Sequence, residues 1–303
     1  MLKGVFFFVL TFGVLSLFAA ATPSFGSRQA EVSAEVPDWA DEFSRKGRPD
    51  AAKWTYERGF VRNEEWQYYT DENAYCSNGW LVIEARQVDL PNPGYVAGSK
   101  DWRFRSPRLT LTSAALETRG RRSFGYGRID VRAKIDAKGT LWPAIWLLGD
   151  RYTGEPGGER WPECGEIDVL EYYNDAIYAN FCWLDDFNGW NKGKPRRQSK
   201  WNTTIRPLSG YLARDPAWAE KWHVWSIERT HEAVSLYLDG ELMNVQVQTA
   251  ATNPEGCRAR HPFREPMYLI LNLAVRAHEH DSPVAPAYPA RFLVDYVRYY
   301  EFK

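Results

Sequence analysis

The sequence predicts an all-β chain folded as a sandwich of two antiparallel sheets, and three observations lead there. Gly127 to Ile135 alternates apolar and charged residues, the pattern of a strand with one wet face. Val234 to Leu238 and Glu241 to Val247 flank Asp239-Gly240, a strong hairpin turn signal. Met267 to Val275 is almost continuously apolar, as expected of a strand buried between layers and too short to span a membrane. Helical periodicity is scarce. Asp215 to Trp222 is the one segment with helix signals, Asp215 serving as N-cap and Pro216 opening the first turn. Many short strands separated by turn signals imply the sandwich.

From its start, the chain reads as an exported protein. Met1-Leu2-Lys3 supplies a positive n-region, Val5 to Phe18 a short apolar run and Ala19-Ala20-Ala21 an A-x-A cleavage site, so residues 1–21 are expected to be a signal peptide rather than a membrane anchor. Residues 22–36, rich in Ala, Ser and Pro, are expected to be a disordered lead-in, and residues 37–303 a single domain with no linker dividing it. A formal net charge of −1 argues against partners held by long-range charge, whether nucleic acid or membrane surface. The composition is rich in aromatics, with 14 Trp and 17 Tyr, whose flat faces suit both core packing and stacking on sugar rings. Cys76, Cys164, Cys182 and Cys257 could be disulfide-bonded in an oxidising compartment or be free buried thiols; none has metal-type spacing.

The stretch Gly165 to Asn174 holds the chemistry. Three acids stand in a run that otherwise reads as a buried strand, where charges do not belong by default. On a regular strand Glu166 and Asp168 share one face, while Glu171 falls on the other with Ile167. One extra residue at Val169-Leu170, a β-bulge, returns Glu171 to the face of Glu166 and Asp168. Retaining glycoside hydrolysis needs a carboxylate nucleophile and a carboxylic acid roughly 5–5.5 Å apart. A third acid between them could hydrogen-bond the nucleophile and help hold the pair in different protonation states. A solvent-facing strand that happens to carry acids is the plainer alternative.

The surrounding sequence resembles glycoside hydrolase family 16, in its laminarinase-like branch with the bulged E-x-D-x-x-E motif. Leu141 to Leu148 is similar to the family's W-P-A-x-W-L-L segment, and Trp161-Pro162-Glu163-Cys164-Gly165-Glu166 to its W-P-x-x-G-E-I-D entry. Asp41-Glu42-Phe43, Gln67 to Thr70, Leu269 to Val275 and Val294 to Arg298 resemble further landmarks. The resemblance implies a concanavalin-like jelly roll of two curved antiparallel sheets with a substrate cleft across the concave one. It also implies a secreted, retaining endo-β-1,3-glucanase with Glu166 as nucleophile, Glu171 as general acid/base and Asp168 as assistant.

Cleft residues follow partly from alternation and partly from the resemblance. Trp142 and Trp146 share a strand face with Ala144, opposite Leu141, Pro143, Ile145 and Leu147, and the resemblance has these indoles, with Trp161, stacking on sugars. Core packing is the alternative. Arg108 resembles the family's cleft arginine, though a surface strand charge reads similarly. Asn63, Glu65 and Gln67 occupy the segment that carries polar sugar contacts in relatives, and exposure alone would also explain them. A structural Ca²⁺ is implied on the convex side, held by the Asp295 carboxylate and backbone carbonyls near Glu42 and Gly79; Asp suits such a role. No redox or organic cofactor is expected, and the partner is a polysaccharide acted on by a monomer.

Two stretches depart from the family pattern. Arg276 to Asp281 replaces the usual Gly-Gly turn, and its His278 and His280 could bind metal with Asp281, although an H-x-H without a third fixed ligand more often marks a polar loop. Cys182 to Asp186 replaces the more usual histidine- or glycine-bearing sequence after the return strand. The basic run Lys192 to Lys200 suits either a sulfated galactan or a solvated loop. Mixed-linkage glucan, agar, porphyran and carrageenan are therefore alternative substrates, and a lectin-like binding sandwich without catalysis is the alternative of a different class.

Overall fold

The structure, a computed structural model, describes residues 36–152, 159–191, 194–276 and 287–303, with the backbone alone at 188–191 and 194–196. The signal-peptide segment, the lead-in to residue 35, His278, His280, Asp281, Lys192 and the side chains of Lys194 and Arg196 lie outside these described residues.

Strands dominate, as the alternating patterns require. In chain order they are β1 (Trp39–Asp41), β2 (Thr55–Glu57), β3 (Tyr68–Tyr69), β4 (Ala74–Ser77), β5 (Trp80–Pro91), β6 (Arg108–Ser113), β7 (Ala115–Glu117), β8 (Gly127–Lys134) and β9 (Leu141–Gly149). There follow β10 (Glu166–Tyr173), β11 (Ala176–Asn191), β12 (Lys194–Pro207), the helix α1 (Leu208–Arg214), β13 (His223–Arg229), β14 (Ala233–Leu238), β15 (Glu241–Val247), β16 (Met267–Val275) and β17 (Ala290–Glu301). They form two sheets. One runs β15-β14-β13-β8-β17-β5-β6-β3, with β1 added on β17 and β4 on β5; the other runs β12-β11-β10-β9-β16-β7-β2. Pairing is antiparallel apart from the short β3–β6 contact. This is an open jelly-roll sandwich, as the sequence implies.

The core lies between the sheets. Ile145, Leu147, Ile167, Val169 and Phe181 of the seven-stranded sheet meet Ile129, Val131, Trp225, Phe292 and Val297 of the other. Fully burying one such side chain contributes roughly 1.5–3 kcal/mol. β16 is buried along its whole length because its second face carries Tyr268 and Ile270 into a smaller cluster with Ala144, Trp146, Leu148 and Cys164. The Asp239-Gly240 hairpin forms as expected, both residues having positive φ (50° and 81°), which a two-residue hairpin turn favours. Buried Arg229 of β13 has backbone carbonyls as its partners, donating to Phe124, Phe263 and Glu265, and so ties two loops to one strand. All four cysteines are free thiols.

The helix expectation needs correction. Asp215 does not begin a helix but ends one: it is the C-cap of α1, its N–H bonding to the Tyr211 carbonyl. Beyond it only a single 3-10 turn forms at Trp218–Glu220, because the Asp215 side chain and carbonyl accept from Ala217 N and Trp218 N in a local turn.

Candidate active site

β10 lies between β9 and β11. On the β9 side Asp168 pairs with Trp146 and Leu170 with Ile145, leaving Val169 unpaired; on the β11 side Asp168 pairs with Asn180 and Glu171 with Tyr178, so Val169 and Leu170 both oppose Ala179. This is the bulge. Val169 and Leu170 both enter the core, and Glu166, Asp168 and Glu171 emerge together on the outer face, lining a groove of about 590 Å³. The bulge sits where a regular strand would bury Glu171.

Each acid has a different environment. Glu166 accepts from Trp161 Nε1 (2.9 Å) and feels the positive charge of Arg62; both lower its pKa, but removal from water outweighs them and raises it to about 7. Glu171 accepts from Trp142 Nε1 (2.9 Å) and Asn180 Nδ2 (2.8 Å), while burial and the nearby Glu166 charge raise its pKa to about 8. Asp168 is the most enclosed, 2 % exposed, and burial with both glutamate charges drives its pKa well above the usual carboxylate range. Its hydrogen bonds run to Asn180 Nδ2 (3.1 Å) and to Glu171, rather than to the Glu166 carboxylate beside which sequence reasoning set it. Asn180 therefore braces Asp168 and Glu171 together.

The remaining candidates divide. Trp142, Trp161 and Asn63 line the groove with the acids. Trp146 lines it too, but it is 8 % exposed, with the Arg62 guanidinium 4.9 Å above its ring and its Nε1 donating to Asn272 Oδ1 (2.7 Å). Substrate at that point meets Arg62 before the indole. Gln67 is not a sugar contact: it is buried, donating to Glu65 Oε2 (2.6 Å) and accepting from Val275 N (2.7 Å). Buried Glu65 likewise accepts from Asn63, Gln67 and Tyr69 and acts as a brace. Arg108 is corrected outright, because β6 belongs to the other sheet and its guanidinium is occupied by the Asp89 carboxylate and carbonyl (both 2.6 Å). The cleft cation is Arg62, paired with Glu57.

Of the residues expected to hold Ca²⁺, Asp295 supplies the one carboxylate, and its Oδ2 accepts from Arg132 Nη1 (2.5 Å). Glu42 and Gly79 are expected to contribute backbone carbonyls; the Glu42 side chain is bidentate to Arg298 (2.8 and 2.9 Å) and Gly79 has φ +85°. On the basic run, partly buried Arg197 pairs with Glu163 (3.7 Å) and exposed Lys200 with Asp185 (3.5 Å).

Comparison with known sequences and structures identifies the family. Residues 62–296 match the profile of Glycosyl hydrolases family 16. The chain belongs to that family. It is 34 % identical over 274 residues to a β-glucanase of Rhodothermus marinus, covering 87 % of this chain and 84 % of that one. The catalytic domain of an endo-1,3-β-glucanase (laminarinase) from Thermotoga petrophila superposes with a TM-score of 0.66 at 31 % identity, over 88 % of this chain and 98 % of that one. A structure from a study of endo-acting O-glycanases with which human gut microbes initiate mucin breakdown gives 0.71 at 32 % identity, over 88 % and 91 %. The family 16 chain described here is accordingly a glycoside hydrolase.

Arg62, Asn180, Asn272 and Tyr173 line the cleft but were not singled out as site residues from sequence. Asn180 had a usable signal, since it stands opposite Asp168 once β11 is set in register with the bulged strand. Arg62 lies in a loop, where no periodicity marks a facing.

Proposed function

We propose that this glycoside hydrolase is a secreted, retaining endo-β-1,3-glucanase that works as a monomer by double displacement. The observation that carries the mechanism is the bulge-aligned triad with unlike surroundings at its two ends. Glu166, held toward ionisation by the Trp161 donor and the Arg62 charge, is the nucleophile. Glu171, the more basic of the two, is the acid. In the first half, a Glu166 oxygen attacks the anomeric carbon as the glycosidic bond breaks, and Glu171 gives its proton to the departing oxygen. In the second, Glu171 takes a proton from water, the water oxygen attacks the anomeric carbon, and the bond to Glu166 breaks with retained configuration. Asp168, hydrogen-bonded to Glu171 and Asn180, holds the acid in place through both halves.

The likeness to a β-glucanase and a laminarinase supports β-1,3-glucan as substrate, and the apolar N-terminal run supports export. The likeness to a structure from the O-glycanase study favours a second reading, action on a mucin O-glycan. Reducing-end release from laminarin, lichenan, agarose, porphyran, carrageenan and mucin O-glycans tests the choice; laminarin left intact refutes the first reading. Glu166→Ser should abolish hydrolysis while leaving oligosaccharide binding, and near-normal turnover by that variant would end the assignment. Glu171→Ala should keep slow action on substrates with good leaving groups and recover with azide, a small anion that can replace the missing base.

A further inference from the structure

The seven-stranded sheet carries its cleft residues in straight cross-strand rows, because directly opposed residues of antiparallel strands stand on the same face. One row runs Trp146, Asp168, Asn180, Thr203; the next runs Leu148, Glu166, Cys182, Trp201. Trp201 thus shares the face of Glu166 two strands away, roughly 10 Å along the sheet. β12 is the edge strand on that side, and the Trp201 ring is 44 % exposed there. A bare indole is an unfavourable choice for a sheet edge, where charged residues better discourage pairing with another chain. This one is oriented. Its Nε1 donates to Ser199 Oγ (3.1 Å), the Trp161 ring stands 6.3 Å away at 49°, and both rings line the groove with Thr203. The neighbouring Lys200 is on the opposite face, over Trp183 and paired with Asp185, so it adds no charge to the platform. Two inclined aromatic faces beside a hydroxyl suit a neutral pyranose ring, apolar on its C–H face and polar at its rim.

We propose that Trp201 is a sugar-stacking subsite at the β12 end of the cleft, about two pyranose rings from the cleavage point, with Trp161 as its inner wall and the Thr203 hydroxyl as a polar contact. The proposal rests on the glycan-hydrolase reading of the cleft but not on which glycan is cut. It makes the β12 edge, beside the Cys182–Asp186 stretch of β11 that departs from the family's pattern, a determinant of where along a polysaccharide the bond breaks.

The test compares wild type, Trp201→Ala and Trp201→Phe on polymeric laminarin and an end-labelled laminarihexaose. Trp201→Ala should raise KM on the polymer about tenfold with kcat within about twofold, and move the main cleavage position of the hexasaccharide by one or two residues. Trp201→Phe, which keeps a flat ring, should restore most of both. The side chain is half-exposed, so melting temperatures should agree within a few degrees and exclude misfolding as the cause. Unchanged KM and an unchanged cleavage position in Trp201→Ala overturn the subsite, as does a loss that Trp201→Phe does not relieve. A wild type that leaves laminarin intact overturns the β-1,3-glucan reading alone, and the same three proteins are then compared on the glycan that it does cut.

Discussion

Deleting Leu170 removes the one residue that the bulge accommodates and converts the acid motif to Glu166-x-Asp168-x-Glu. In a regular strand that spacing keeps all three carboxylates on the cleft face. The structure sets the cost. Leu170 is fully buried in the main core, and losing a buried leucine side chain costs about 2–5 kcal/mol. Taking about 3 kcal/mol, and about 2–4 °C per kcal/mol for a domain of this size, the melting temperature should fall by about 6–12 °C with the fold retained. Activity should be partly lost, since the acids keep their face while their spacing tightens. Inserting one residue after Val169 does the reverse. It turns Glu171 into the core and lifts Tyr172, fully buried in the native protein, into the cleft. An unpaired buried carboxylate costs several kcal/mol, comparable with a net stability of ~5–15 kcal/mol. That variant should lose both stability and activity. Thermal melts and laminarin hydrolysis on the two proteins, with Leu170→Ala as a control for the cavity alone, decide it. Equal and mild effects of deletion and insertion would refute the bulge as the device that aligns the triad.

The pH–rate profile should be bell-shaped, its acid limb set by ionisation of Glu166 and its alkaline limb by loss of the Glu171 proton. Trp142→Phe removes a donor to the Glu171 carboxylate and should move the alkaline limb upward, whereas Trp161→Phe should move the acid limb upward and narrow the bell; an unshifted limb in either variant counts against its assignment. Native Glu171 keeps its proton up to about pH 8 against an ordinary value of 4.5, so the unfolded state sheds that proton first and stability falls as pH rises across this interval. Glu171→Gln should therefore melt higher than wild type at pH 8 and at about the same temperature at pH 4; an equal gap at both would contradict it. Gly165 has φ +76°, and an added Cβ would come within 2.8 Å of Pro262 Cβ, so Gly165→Ala should cost about 1–3 kcal/mol in urea unfolding and disturb the adjoining Glu166. Gly98 has the same φ with open space around it, and Gly98→Ala should show the smaller loss and normal hydrolysis.

Whatever depended on period was legible from sequence. The bulge followed from a charge that a regular strand would have buried, and the cleft face of β9 from the alternation of Trp142, Ala144 and Trp146 with aliphatics. The Asp239-Gly240 hairpin followed from turn chemistry. Properties set by distant neighbours were not legible. Arg108 was named from its resemblance to the family's cleft arginine, which does not say which sheet β6 joins in this chain, and Arg62 was missed because its place over Trp146 depends on a loop. Gln67 resembled a hydroxyl reader, but its amide is used by Glu65 and the Val275 backbone. The Asp-Pro pair at 215–216 carried the marks of a helix start, and the same local hydrogen bonds serve equally well to stop α1.

The place of β10 within its sheet divides the cleft unequally. Two strands, β11 and β12, lie on one side of it and four, β9, β16, β7 and β2, on the other. On the four-strand side the outer face is covered: Tyr268 and Ile270 of β16 and Ala115 and Glu117 of β7 are buried, and Arg62, over Trp146 and paired with Glu57, bounds the groove. On the two-strand side the cross-strand rows of β10 reach Thr203 and Trp201, both exposed, at the β12 edge. A glycan laid in this groove can run on past β12 and meets the Arg62–Glu57 pair on the other side, so that pair, rather than the number of strands, limits how much chain that side holds.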